Sequence, residues 1–271
     1  MRHSDWCKWH AIRCSTCKGK KYVRIDGTNI SCPCQKDADI KYRYEQIEVV
    51  PPTLKYKNWV DFTGVITDGE SVVGRLKVDS FITAKKQALS YCFSDPKLNP
   101  EKDRMNNLII HKKSSSGSNV VIAGDRLSGK TLVASLILKE VCWAISYYNS
   151  NLSFKWVKSS SFIDAARWDN GRSINYEYFM HLESIRFLAI DGVDNFSEFG
   201  HTSPPDIITM NSFFGHRRMT GMPVILVCSI KFYNMLTNPI YHTDIKRTWG
   251  EEFLSMAIDK KNVFIKLEKE S

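Results

Sequence analysis

Gly124-Asp125-Arg126-Leu127-Ser128-Gly129-Lys130-Thr131 decides the reading of this chain. The octet fits G-x-x-x-x-G-K-[ST] at every fixed position. Before it stands Val120–Ala123, a short continuous apolar run of the kind buried on both faces of a parallel sheet. After it, about Gly129 to Tyr148, comes a helix apolar on most of its circumference. Glycines let the backbone turn tightly, so that successive N–H groups point inward at a phosphate chain. The helix start adds free N–H groups and its positive dipole end. Lys130 is expected at the β- and γ-phosphates of a nucleotide, and the Thr131 hydroxyl on Mg²⁺. ATP and Mg²⁺ are therefore the expected ligands, with Gly124, Asp125, Arg126, Leu127, Ser128, Gly129, Lys130 and Thr131 around the phosphates.

Such a loop needs a carboxylate at the end of a neighbouring strand. Arg186-Phe187-Leu188-Ala189-Ile190-Asp191 supplies one, and Asp191 is expected to act through the water shell of the magnesium held by Thr131. Many ATPases with this loop carry an acid directly after that Asp to polarise the attacking water. Here the position is Gly192, and the next acid is Asp194.

Around these motifs strands and helices alternate. Phe154–Val157 and Pro223–Cys228 read as further strands, with helices over Ser161–Trp168, Tyr176–Leu182 and Pro205–Met219. Strands separated by such helices imply a parallel sheet covered on both faces, an α/β fold. Upstream, Lys20–Arg24 and Thr28–Ser31 read as strands joined by the Asp26-Gly27 turn. Lys36–Glu48 reads as a charged helix stopped by Val49-Val50-Pro51-Pro52, and 49–62 as a connector anchored by Tyr56, Trp59 and Phe62. A helix is expected over Phe81–Phe93, and Ser114–Ser118 is a flexible stop. The expected organisation is a cysteine-rich module at 1–35, a helix and connector at 36–62, and a phosphate-loop domain at 63–271.

The chain has 271 residues, with 43% hydrophobic and 25% charged, the composition of a globular protein. It shows no apolar stretch long enough to span a bilayer and no secretory h-region at its start, so a cytoplasmic location is expected. Disulfides are rare there, yet five of the eight cysteines fall in the first 34 residues. Cys14-x2-Cys17 and Cys32-x-Cys34 set four thiols on two tight knuckles with a hairpin between them, a pattern suited to structural Zn²⁺. Cys92, Cys142 and Cys228 lie singly in apolar surroundings and read as core residues. Net charge is +9, and residues 1–24 carry seven basic residues against Asp5 alone, interleaved with Trp6, Trp9 and Tyr22. Basic charge with aromatic faces suits single-stranded nucleic acid; the plainer alternative is a solvated basic face over a small aromatic core.

The combination resembles bacterial and phage replicative helicase loaders of the DnaC/DnaI type. The echoes are Cys14-Ser15-Thr16-Cys17-Lys18-Gly19, Cys32-Pro33-Cys34-Gln35, the loop Gly124–Thr131, Leu188–Asp191, and Gly215-His216-Arg217-Arg218 leading into Pro223-Val224-Ile225-Leu226. Residues 63–107 match nothing in that pattern. The resemblance implies an AAA+ ATPase that self-associates in its ATP state. The N-terminal module would grip a hexameric replicative helicase, and the ATPase domains would help place it on single-stranded DNA. It also implies a basic residue completing the neighbouring subunit's ATP site, a role that falls to Arg247, with Arg217 and Arg218 as alternatives that could instead face DNA or an interface. Three departures concern hydrolysis: Gly192 lacks the acid, only Ser229 stands where a polar sensor is expected, and a second sensor arginine is missing or replaced by Lys266 or Lys269. A slow ATPase, an ATP-binding switch, is the expectation. Two other readings stay open: a transposition helper ATPase of the IstB type, and a zinc-dependent nucleic-acid-binding adaptor whose phosphate-loop domain does not hydrolyse ATP.

Overall fold

The structure is a computed structural model; it describes residues 14–32, 34, 35, 38, 50–55, 57–68, 71–92, 118–148, 153–166, 168, 169, 172, 173, 176–194 and 204–270. Strand β5, Val120–Gly124, is buried at all five residues, as its uninterrupted apolar run predicts. It lies inside a five-stranded sheet with β6 (Phe154–Lys158), β9 (Phe187–Asp191), β10 (Val224–Cys228) and β11 (Val263–Leu267), in the order β11-β5-β10-β9-β6. Every pairing in this sheet is parallel. That confirms the α/β reading.

The two-residue period of the strands divides the core between the sheet's faces. Val120, Ile122, Ala189, Ile225, Val227 and Ile265 face one side, with helix α1 (Val78–Cys92) and helix α2 (Lys130–Tyr148). Val121, Ala123, Leu188, Ile190, Val224 and Leu226 face the other. There α3 (Ser159–Ala166), α4 (Tyr176–Ser184), α5 (Pro204–Thr220), α6 (Ile230–Thr237), α7 (His242–Trp249) and α8 (Glu251–Ala257) close over the sheet. An aromatic cluster fills the second layer: Trp249 stacks on Phe253 at 4.7 Å, and Phe162 meets Phe213 edge-on at 4.9 Å. No helix of the described residues is long and apolar enough to cross a membrane.

Four parts were not read from the sequence, the smallest being the short antiparallel pair β7 (Trp168–Asp169) and β8 (Arg172–Ser173), which takes Trp168 out of the helix expected over Ser161–Trp168. Strand β11 completes the sheet beyond the expected four and pairs along β5 from Val263↔Val120 to Leu267↔Gly124. A hairpin, β3 (Val65–Asp68) with β4 (Ser71–Arg75), precedes α1, and Leu76 bridges antiparallel to Lys269 just past β11. The helices after β10 also went unread; α7 and α8 are divided at Gly250, which sits at φ +90°. Of the charged helix expected over Lys36–Glu48, only Ala38, helical and buried, falls among the described residues.

The connector packs on the helix that follows the phosphate loop. Val50, Trp59 and Phe62 belong to the same apolar cluster as α2. Trp59 Nε1 donates to Glu140 Oε1 at 3.3 Å, and Lys139 Nζ donates to the carbonyls of Lys55 and Lys57 at 2.9 and 2.6 Å.

Arg217 differs from its sequence expectation. It is fully buried at the end of the sheet opposite the phosphate loop. Its guanidinium donates to the carbonyls of Ile185 (2.7 Å), Arg186 (3.0 Å) and Pro223 (3.0 Å), tying together the entrances to β9 and β10. Burial, with Arg186 adding to it, pulls its pKa down to about 9. A side chain so enclosed faces neither DNA nor a neighbouring subunit. Replacing it leaves three carbonyls without donors, so Arg217→Met should lower unfolding free energy by on the order of 3 kcal/mol, read from the urea midpoint. An unchanged midpoint would refute this structural role.

Candidate functional site

Because β5, β9 and β10 are parallel and in register, their C-terminal ends meet at one edge: Cys228 lies beside Ala123, and Val227 beside Asp191. The phosphate loop leaves β5 there. Leu127 and Gly129 are both left-handed, at φ +65° and +86°, and turns of this hand gather backbone N–H groups toward a common point. Gly124 has no room for a side chain: a Cβ would collide with Ser128 Oγ and lie 3.0 Å from the Leu267 carbonyl oxygen. The Ser128 hydroxyl is buried and has no hydrogen-bond partner among the described residues. Phe62 of the connector lies against Gly129, 3.6 Å from where its Cβ would be.

The three residues singled out for phosphate and magnesium come together. Thr131 Oγ1 donates to Asp191 Oδ2 at 2.9 Å, across the width of β10. Lys130 Nζ donates to the Asp125 carbonyl at 2.6 Å, at the mouth of the loop. Burial lowers the Lys130 pKa, opposed first by the charge of Asp194 and then by that of Asp191. Burial raises the Asp191 pKa, opposed by the Thr131 hydrogen bond and the Lys130 charge. A hydroxyl beside a carboxylate is the hard-oxygen set that magnesium accepts. A loop with a half-buried ammonium beside it suits a phosphate chain.

Past Asp191 the chain turns at Gly192, φ +76°, and the N–H groups of Gly192 and Val193 both donate to the Val227 carbonyl, at 3.0 and 3.1 Å. Asp194 Oδ2 then accepts from the backbone N–H of Ser229 at 3.0 Å. In the sequence Asp194 reads only as the next acid after Asp191; the D-G-x-D spacing, with a glycine free to turn left-handed, is the signal that could have placed it. Ser229, the expected sensor, uses its hydroxyl oxygen to cap α6, accepting from Phe232 N at 3.1 Å. Lys266 pairs with Glu268. Arg247 is exposed on α7, and its guanidinium has no partner among the described residues. Arg218, half-exposed, pairs with Glu252 at 3.2 Å.

The cysteine cluster is a second site. Strands β1 (Tyr22–Ile25) and β2 (Thr28–Ser31) form the expected hairpin, with Asp26 and Gly27 left-handed at φ +48° and +80°. It brings Cys14, Cys17, Cys32 and Cys34 together, all four Sγ atoms lying within 4.8 Å of one another. Cys14 and Cys32 are 3.7 Å apart, and Cys17 and Cys34 3.6 Å. A zinc ion with Zn–S bonds of about 2.3 Å in a tetrahedron sets its sulfurs about 3.8 Å apart, so the cluster fits that ion. A backbone hydrogen bond at Cys17, above all, pulls the Cys14 pKa down to about 6, and burial pushes Cys34 up to about 12. The remaining described cysteines, Cys92, Cys142 and Cys228, are buried singly in the core, as expected.

Comparison with solved structures finds likenesses over most of the chain. The crystal structure of DnaI matches at TM-score 0.45 and 12% identity, over 82% of this chain and 95% of that one. The DnaC helicase loader matches at 0.42 and 13%, over 76% and 98%. A candidate primosome component from Streptococcus pyogenes serotype M3 matches at 0.46 and 13%, over 84% and 94%. The chain resembles helicase loaders of the DnaC/DnaI type. At these scores and identities no residue's role rests on the likeness. No family model matches the sequence, and no curated protein matches it either.

With so small an apolar cluster around the thiols, a metal held by Cys14, Cys17, Cys32 and Cys34 would be the main source of order for this module. Elemental analysis should find about one zinc per chain. Chelation should abolish the protection of amides in this segment from hydrogen exchange while leaving β5, β9 and β10 protected. A purified, unchelated protein free of zinc would end the metal reading.

Proposed function

We propose that the chain is an ATP-dependent helicase loader, which binds a replicative DNA helicase and delivers it onto single-stranded DNA. The observation that carries this reading is the pairing, in one chain, of a four-thiol cluster with a convergent Lys130–Thr131–Asp191 site on a parallel sheet. A phosphate loop alone is shared by many activities; the cysteine module narrows the choice.

In this reading residues 1–35 form the helicase-gripping module, 36–62 the link, and 63–271 the ATPase body. Backbone N–H groups of Gly124–Thr131 hold the phosphates. Lys130, now on the Asp125 carbonyl, would serve the β- and γ-phosphates, and Thr131 and Asp191, joined by a hydrogen bond, would hold magnesium. Magnesium, when bound, screens the phosphate charge and orients the terminal group. Arg247, exposed and unpaired among the described residues, completes the ATP site of an adjoining copy. ATP binding thus favours self-association, and turnover is slow because Ser229 is engaged as a helix cap and no acid directly follows Asp191. The protein acts in the cytoplasm.

Two sets of measurements test this. Lys130→Ala should remove most ATP affinity, measured with a fluorescent ATP analogue, because it deletes the side-chain cation at the base of the loop. Asp191→Asn should reduce magnesium-dependent turnover more than binding. Wild-type affinity in Lys130→Ala would show that the loop is not a phosphate site.

The second set addresses partner and DNA. A replicative helicase should co-purify with the full chain and not with a chain lacking residues 1–49, a cut that leaves the packed Val50, Trp59 and Phe62 in place. The shortened chain should keep ATP-dependent binding to single-stranded DNA, and affinity should fall steeply with salt as each neutralised phosphate releases a counterion. DNA binding confined to the N-terminal module and indifferent to ATP would favour the zinc adaptor instead. DNA binding without helicase capture would favour the transposition helper.

A further inference from the structure

Asp194 is the third carboxylate of the phosphate site, and we propose that it orients the attacking water and takes its proton, the task for which Gly192 offers no side chain. The proposal deepens the ATPase reading above and rests on it.

Geometry places the residue. Gly192 is left-handed, and two consecutive N–H groups, its own and that of Val193, close on the single carbonyl of Val227. The chain therefore folds back across the end of β10 instead of leaving the sheet. Ser159 Oγ fixes the outer side of this turn, donating to the Gly192 carbonyl at 2.6 Å, and Val193 is fully buried beneath it. Asp194 is thereby returned to the strand end between Asp191 and the phosphate loop, where Ser229 N–H holds one oxygen, Oδ2, at 3.0 Å. The other oxygen, Oδ1, accepts no hydrogen bond among the described residues, so its lone pairs are available to a water. The charge of Asp194 acts on Lys130 more strongly than that of any other acid, and it is also felt at Asp191 and at Cys228.

The other carboxylates of the site are differently employed. Asp191 accepts the Thr131 hydrogen bond and, in the reading above, would be committed to magnesium. Asp125 precedes the turn of the loop; its backbone carbonyl carries Lys130, and the charge of its carboxylate acts on Lys130 less than that of Asp194. Asp194 stands outside the Thr131–Asp191 pair, is fixed through Oδ2 by a backbone donor, and keeps Oδ1 without a hydrogen bond among the described residues. In the step it serves, the water oxygen bonds to the γ-phosphorus while the bond from that phosphorus to the β–γ bridging oxygen breaks. ADP leaves with the electron pair, and the water's proton passes through Asp194 to the released phosphate. No other reactant is needed.

Asp194→Asn keeps an oxygen for the Ser229 N–H and removes the charge, so the turn should persist. In the full-length protein this variant should bind ATP and ADP as wild type does, while turnover falls by about 100-fold or more. A second readout does not depend on turnover: wild type should retain ADP with aluminium fluoride, which captures the transferring group with its water, and Asp194→Asn should not. Asp194→Glu, which keeps the carboxylate, should recover part of both signals. Wild-type turnover in Asp194→Asn would overturn the proposal, as would a folded Asp194→Glu no better than the Asn variant, since that result assigns the residue to the turn alone. Wild type that binds ATP without any turnover would overturn it too. Failure of wild type to bind ATP at all would instead remove the phosphate-site reading on which it rests.

Discussion

A hydrogen bond from Thr131 to Asp191 joins two segments sixty residues apart, and it spans the intervening strand β10. It forms because three parallel strands end at the same level, which in turn requires the sheet to be packed on both faces. A one-residue slip of β9 against β10 would send Asp191 to the other face and exchange Leu188 and Ile190 with Phe187 and Ala189 between the two cores. The apolar alternation that builds the layers therefore also sets the distance between hydroxyl and carboxylate. Stability and site geometry share one register.

The opposite end of the sheet is held by a different device. There Arg217 lends one buried cation to three carbonyls at the strand entrances. A planar guanidinium with several donors suits that task better than an ammonium. The sheet is thus closed at one end by a cation on carbonyls and opened at the other, where glycines at 124, 129 and 192 keep side chains out of the way. Gly124 is the strictest of these, pressed between Ser128 and Leu267.

Much of the α/β body was legible because its strands are continuous apolar runs with a motif at their ends. β5, β9 and β10 and the helices between them lie within two residues of where periodicity puts them. The hairpin at Asp26-Gly27 and the four-thiol cluster were likewise visible in spacing and turn chemistry. β11 was not read, since Val263–Leu267 is brief, carries Lys266, and acquires its meaning from pairing with residues more than a hundred positions away. The β3–β4 hairpin hides for another reason: Val65, Val72 and Val73 are exposed and Ile66 is the one buried residue of its two strands, too little to mark a buried face by alternation. The burial of Arg217 and the return of Asp194 to Ser229 depend on tertiary closure, and a charged residue's type says nothing of either.

The clasp between connector and helix α2 also has a history in time. Trp59 waits for Glu140, 81 residues later, and the carbonyls of Lys55 and Lys57 wait for Lys139, 84 and 82 residues later. On a ribosome adding about 5–20 residues per second, that interval is roughly 4–16 s. The cysteine hairpin, whose partners lie 17 and 18 residues apart, can close at once. The nascent chain thus carries a finished head while the aromatic neck behind it stays wet, and Trp59 and Phe62 are apolar surface open to a chaperone until the body arrives to cover them.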